Sequence, residues 1–302
     1  MNKTAEKKAK AAENKAKNSE KPVTGLDDLL FPVEKVQVTD YDCNSDYAYD
    51  IFAYPNGRKL RVNSCSDRYE LIPNAEIFPT LEQILDNAGI EYTVKYSHIN
   101  FARFYANYII EDQKLAYKVA GTSDIIKPMI TVQHSYNGLT MYKIVFGYFR
   151  LVCSNGLTIP VEDMKAYNLS IVGRHTESVK RSFDQLKNTL QHFTTNADQI
   201  SLAITAKFDT LAKNEVTNVT DRITEVLKNN SIVIKDTKSF STVNYIQNVI
   251  SSEIDLYGGV TNDWLIYNAI NQYINDSKLN IKPPEKRAEL DSKVLESMLV
   301  LN

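Results

Sequence analysis

The spacing of apolar residues along this chain changes character once, near residue 174, and that change limits the folds open to it. Upstream the period is close to two, which suits strands; downstream it is close to 3.6, which suits helices. Val33, Val36 and Val38 open the strand half, and residues 47–54 and 59–62 flank the turn signal Pro55-Asn56-Gly57, which predicts a hairpin. Asn74 at a helix start, Pro79 soon after, apolar Leu81, Ile84 and Leu85, and Gly89 beyond the end predict one amphipathic helix that packs on the sheet. Residues 90–171 are dominated by β-branched and aromatic side chains, with breaks at Glu111-Asp112, Tyr136-Asn137-Gly138 and Ser154-Asn155-Gly156, a pattern that fits an antiparallel meander. Within it, alternation places Phe101, Arg103, Tyr105, Asn107 and Ile109 on one face and Ala102, Phe104, Ala106, Tyr108 and Ile110 on the other.

After Arg174, Val179, Phe183, Leu186, Leu190 and Phe193 fall three or four apart. Residues 200–211, 219–227, 243–256, 262–274 and 288–299 each carry a further apolar stripe. Strands followed by helices predict an α+β fold, an antiparallel sheet of meander and hairpins followed by a C-terminal helical region, rather than a doubly wound α/β sheet. The expected organisation is a basic flexible arm over residues 1–22, a mostly antiparallel β domain with one packed helix over 23–175, and a helical region over 176–302 packed on or beside the sheet.

A chain of 302 residues, 43% of them hydrophobic, is long enough to bury a substantial core. Its net charge of -2 hides an asymmetry: seven lysines face three glutamates up to Pro22, so everything beyond the arm is net acidic. Any nucleic-acid site must then be a local patch or the arm itself. Cys43, Cys65 and Cys153 are an odd number without a pairing pattern, which points to a reducing compartment. No leader and no apolar run of membrane length is evident, so a cytoplasmic protein with no membrane partner is expected.

The chemistry of catalysis leaves little trace. His98, His134, His175 and His192 are far apart, and none stands at metal-ligand spacing from another histidine or a cysteine, so no metal is expected. Neither G-x-x-x-x-G-K-S/T nor G-x-G-x-x-G occurs, and no cofactor is expected. Cys153 has His134 and His175 as conceivable bases, but inside the run Phe149-Arg150-Leu151-Val152 it reads as a small core residue. The pairs Asp27-Asp28 and Glu162-Asp163 read as caps or solvated carboxylates. No catalytic residue is assigned.

What stands out is tyrosine, 18 in all, interleaved with cations on strands. Rings on an open sheet face stack bases, at about 1–3 kcal/mol per base, while arginine and lysine meet phosphates. Arg103, Tyr105, Lys143, Tyr148, Arg150, Asn155, Arg174 and His175 are therefore the candidate nucleic-acid-binding residues. Set against this, aromatics favour strands for packing alone.

Five segments in order carry a resemblance: SDRYELIPNAEIF (66–78), PMITVQHSYNG (128–138), FGYFRLVCSNGL (146–157), GRHTESV (173–179) and TNDWLIYNAINQYIND (261–276). Together they resemble the phage/plasmid-like proteins grouped as domain of unknown function 932, the R-x-V-C-x-N and R-H-T elements being the most telling. Where such proteins often place Asp before the glycine of the S-x-D-G turn, this chain has Asn137. The resemblance implies a mobile-element protein of the bacterial cytosol, or of the virion, encoded near replication and recombination functions and without established catalytic residues.

The leading expectation is a factor that binds or anneals single-stranded nucleic acid in recombination or replication, acting as a homo-oligomer through an aromatic, electropositive sheet face. The alternative is a non-enzymatic virion, cargo or host-interaction protein whose partners are phage or host proteins. A hydrolase or nuclease built on scattered carboxylates is the third.

Overall fold

The computed structural model describes residues 21–38, 48–150, 156–157, 170–173, 184–185, 187–189, 191–192, 195, 197–276, 279 and 282–300. The arm as far as residue 20, together with Cys43, Cys153, Asn155, Arg174 and His175, lies outside the described residues. In chain order the strands and helices begin with β1 (Lys21–Val23), β2 (Val33–Gln37), β3 (Tyr49–Ala53), β4 (Leu60–Cys65) and α1 (Asn74–Asn87). They continue with β5 (Tyr92–Ile99), β6 (Arg103–Ile110), β7 (Tyr117–Lys118), β8 (Ile125–Ser135), β9 (Tyr142–Arg150), β10 (Gly156–Leu157) and β11 (Ser170–Gly173). The C-terminal part holds α2 (Ala197–Lys213), α3 (Val219–Asn229), the small hairpin of β12 (Asp236–Thr237) and β13 (Phe240–Ser241), α4 (Thr242–Tyr257), α5 (Asp263–Asn275) and α6 (Pro284–Val300). Antiparallel strands first and helices afterwards make the fold α+β.

The chain forms two compact units that alternate along the sequence: residues 1–112, 130–146 and 168–194 in the first, residues 113–129, 147–167 and 195–302 in the second. In the first unit the strands run β1-β5-β6-β8-β9, with β11 on β9, and β2-β3-β4 form a separate antiparallel sheet. The hairpin expected around Pro55-Asn56-Gly57 is β3 with β4, and Asn56 and Gly57 take left-handed backbone there. On α1, Ile77, Phe78, Leu81, Ile84 and Leu85 are all buried, the stripe that its sequence predicts. Phe78 packs edge-on to Tyr96 of β5, 5.7 Å between ring centres, and the Tyr96 hydroxyl donates to Glu82 on the same helix. The helix start is tied down by a tertiary contact: the Asn74 N–H donates to the Tyr136 hydroxyl at 2.8 Å, and the Asn74 amide donates to the Leu29 carbonyl at 3.0 Å.

One strand is shorter than its alternation suggests. Phe101 sits in the turn joining β5 and β6, not on a strand: Asn100 and Phe101 have φ of 55° and 54°, and the Ala102 N–H donates to the Ile99 carbonyl at 3.1 Å. Two consecutive left-handed residues are what a tight hairpin turn needs. Asn tolerates that backbone; phenylalanine does so at a cost. Ring packing offsets it, because Phe101 stacks on His98 at 4.1 Å and meets Phe31 edge-on at 5.8 Å. Local alternation cannot register a turn held by tertiary aromatic contacts.

In the second unit β7 pairs with β8 and β10 with β9. Among the helices, α5 is the centre: Trp264, Ile266, Tyr267, Ala269, Ile270 and Ile274 are fully enclosed. A helix apolar on most sides belongs inside a bundle. Trp264 lies 5.1 Å from Phe208 of α2, which in turn meets Tyr148 of β9 at 6.0 Å. Asn218, Ser241 and Asn262 each accept a backbone N–H from the first turn of α3, α4 and α5. Such caps satisfy donors that no helix can satisfy internally.

Two glycines separate packing from plasticity in this unit. A Cβ on Gly147 would stand 2.9 Å from the Leu157 carbonyl oxygen, whereas one on Gly156 would meet only the flexible end of Met129, at 2.8 Å. Gly147→Ala is expected to lower stability by about 1–3 kcal/mol, since backbone must move. Gly156→Ala should cost less, because a methionine can rotate away. Chemical denaturation of the two variants checks the order.

Candidate functional site

Of the residues expected to bind nucleic acid, Arg103, Tyr105 and Lys143 belong to the first unit and Tyr148 and Arg150 to the second. Strand register puts the first three on one face of the sheet. Ser97 pairs with Tyr105 and Tyr96 with Ala106, so Tyr105 and Arg103 lie opposite the α1 side that Tyr96 marks. Tyr142 lies 6.4 Å from His134 on the α1 side, which leaves Lys143 on the same face as Arg103 and Tyr105. Shared face does not mean shared access: Arg103 and Tyr105 are buried, and Lys143 is half-buried. Tyr148 is buried against Phe208.

Arg150, the last residue of β9, is 1% exposed. Its guanidinium grips Glu253 of α4 with two nitrogens at 2.8 and 2.7 Å and Asp124 at 2.5 Å. The Trp264 indole N–H donates to the same Asp124 carboxylate at 2.6 Å. Burial alone would lower the arginine pKa, but the hydrogen bonds it donates to Glu253 and Asp124 outweigh it and hold the group charged. One cation against two carboxylates, forked and closed from water, is an internal fastening that joins β9, α4, α5 and the segment before β8. It offers nothing to a phosphate.

The surface holds three other places of interest. The first is a groove of about 660 Å³ in the second unit where α2 ends and α3 begins, lined by Thr210, Lys213, Asn214, Glu215, Thr217 and Asn218. Its arginine, Arg222, is committed to buried Asp263 at 2.9 and 2.8 Å and to Glu225 at 3.0 Å. The second is the outer face of the β2-β3-β4 sheet. Lys59 lies 4.0 Å from the Phe52 ring centre and 5.8 Å from that of Tyr54, and the exposed Arg61 reaches Asp50 at 2.8 Å. Lys59 is 3.8 Å from Glu34, to which the Tyr54 hydroxyl also donates. Sequence reasoning missed this set, although the signal was present: Asp50, Phe52 and Tyr54 alternate on one side of the hairpin turn, Lys59 and Arg61 on the other.

The third is the last turn of α4 together with its connection to α5. Leu256, Tyr257 and Val260 are 74%, 53% and 56% exposed, an apolar group around Gly258 and Gly259, which both take positive φ. Both ends are fixed: the Gly258 N–H donates to Ile254 O at 2.7 Å, the Val216 N–H to Thr261 O at 2.9 Å, and the Asn262 amide to Ala212 O at 3.0 Å. Among the described residues no three histidine, cysteine or acidic side chains gather as a metal would require, and no helix is long and apolar enough to cross a membrane. Burial raises the pKa of the one described cysteine, Cys65, away from a reactive thiolate.

Arg150→Met should destabilise the protein by about 3–5 kcal/mol, because it strands two carboxylates away from water. Combining it with Asp124→Asn and Glu253→Gln should recover much of that loss. A single variant as stable as the parent would contradict the ion cluster.

No curated protein and no solved structure matches the chain. A family model does, over residues 61–294, from β4 through most of α6. That span holds the Arg150 cluster, the groove and the apolar connection, and leaves β2 and β3 outside it. The chain belongs to the family described as Domain of unknown function (DUF932).

Proposed function

We propose that this protein works without catalysis, by binding a protein partner through the connection between α4 and α5, as a virion, cargo or host-interaction component would. The observation that carries this reading is the exposure of Leu256, Tyr257 and Val260 on a backbone pinned at both ends. Apolar side chains left in water by the folded chain gain on association, by about 1.5–3 kcal/mol for each one fully buried. Protein interfaces draw their strongest contacts from such clusters, with tyrosine prominent among them. Pinning matters as much as apolarity, since a segment already held in shape loses little entropy on docking. A second copy of the chain is one partner this surface would accept.

Single-stranded nucleic acid is the second reading, and the outer face of β2-β3-β4 favours it. Lys59 is paired there with Glu34 at the surface, while the exposed Arg61 meets the largely covered Asp50. An exposed pair such as Lys59 with Glu34 is worth up to about 1 kcal/mol, so a polyanion displaces Glu34 at little cost. The Phe52 ring under Lys59 would then take a base. The rings and guanidinium first expected to do this, Tyr105, Tyr148 and Arg150, are buried, which favours the exposed set instead.

Photo-crosslinking from benzoylphenylalanine at position 257, in cells that make the protein, should yield one dominant adduct that is absent when the probe replaces the exposed Lys228 of α3. Equal labelling from both positions, or none from 257, would count against a partner at this loop. For the second reading, anisotropy of a labelled oligothymidylate should rise at low salt and fall as salt is added, with Phe52→Ala and Lys59→Glu weakening it. No binding at the lowest salt ends that reading.

A further inference from the structure

His98 on β5 stands where the β5-β6 turn and the short edge strand β1 meet. It is 6% exposed, stacked on Phe101 at 4.1 Å, and its Nδ1 accepts the Phe101 backbone N–H at 3.1 Å. A ring nitrogen that accepts is unprotonated, so the other nitrogen carries the hydrogen and the ring is neutral. This one bond braces the hairpin turn at its left-handed phenylalanine, the more strained of the two turn residues. On the other side of His98 lies β1, the first described strand, which pairs with β5 in the register Lys21 with His98, Pro22 with Ser97 and Val23 with Tyr96. The strand is three residues long, and Pro22 can donate no ladder bond. It is the weakest seam of the sheet on this edge.

We propose that His98 is a proton-operated latch on β1: protonation removes the acceptor that braces the Asn100-Phe101 turn, sets a cation opposite Lys21, and frees residues 21–23 from the sheet edge. The charged groups nearest to consider are few. Lys21 acts on the ring from β1, while Asp27 and Asp28 on the 3-10 turn that follows are exposed. The remaining neighbours, Phe101 in the turn and Phe104 paired across the ladder, carry no charge. Burial, and after it Lys21, hold His98 below the ordinary histidine pKa. Release of β1 takes Lys21 away from the ring, so the released state takes up a proton more readily than the paired one. β1 is therefore held fully above the ordinary histidine value, near pH 6.5, and is progressively released as the pH falls below it.

Hydrogen exchange of the whole chain, with rates corrected for intrinsic pH dependence, tests the latch at residues 21–25. Protection there should fall about tenfold or more between roughly pH 7.5 and pH 5, while α1 and β6 stay protected. His98→Asn, whose side-chain oxygen can take the place of Nδ1 but does not titrate, should keep β1 protected at both pH values. Lys21→Gln removes the opposing cation and should move the release to lower pH in a chain whose core is untouched, which keeps the test decisive even where the His98 variant folds poorly. Unchanged protection of β1 across that range would overturn the proposal, as would an equal loss in His98→Asn or a Lys21→Gln midpoint that does not move.

Discussion

A charged guanidinium inside a protein must find its counter-charge within the protein. Arg150 finds it in two carboxylates that lie 26 and 103 residues away in sequence. Neither acid reaches it unless the segment before β8 and the helix α4 are both in place, and Trp264 adds its own donor to Asp124. The cluster thus gives the second unit a precise closing condition. An ion pair of this kind adds little net stability over a well-packed apolar core, but it tolerates no misplaced partner. The ring stack of Tyr148, Phe208 and Trp264 fills the surrounding core.

Much of the fold was legible because it is written locally. The hairpin at Pro55-Asn56-Gly57, the helix from Asn74, and the capped helices beginning beyond Asn218, Ser241 and Asn262 all rest on signals within a few residues of one another. The Asn100-Phe101 turn was hidden because its stabilisation comes from His98 and Phe31 rather than from a turn-forming pair. The candidate site fared differently. Alternation correctly assigns Arg103 and Tyr105 to one side of a strand, yet it is silent on whether that side is covered. An arginine among aromatics looks the same in sequence whether it awaits a phosphate or is already answered by Asp124 and Glu253. The exposed set on the β3-β4 hairpin carries the expected mixture of rings and cations, and there the sequence holds acids at matching positions.

The apolar connection after α4 is presented by the same helix that supplies Glu253 to the buried cluster, so the exposed side chains ride on one of the better anchored parts of the second unit. In the first unit, the corresponding economy lies at the sheet edge, where a three-residue strand and a strained turn meet at one imidazole. One unit presents a rigid apolar anchor and the other an edge sensitive to protons.

The arginine at the end of β9 is an internal fastening of the second unit. Arginine-selective modification with phenylglyoxal, read by mass spectrometry on the folded protein, addresses it directly. Arg58 and Arg68, both exposed, should react readily while Arg150 stays unmodified, with or without added oligonucleotide. Reaction of Arg150 at the rate of Arg58, suppressed when oligonucleotide is present, would contradict the account.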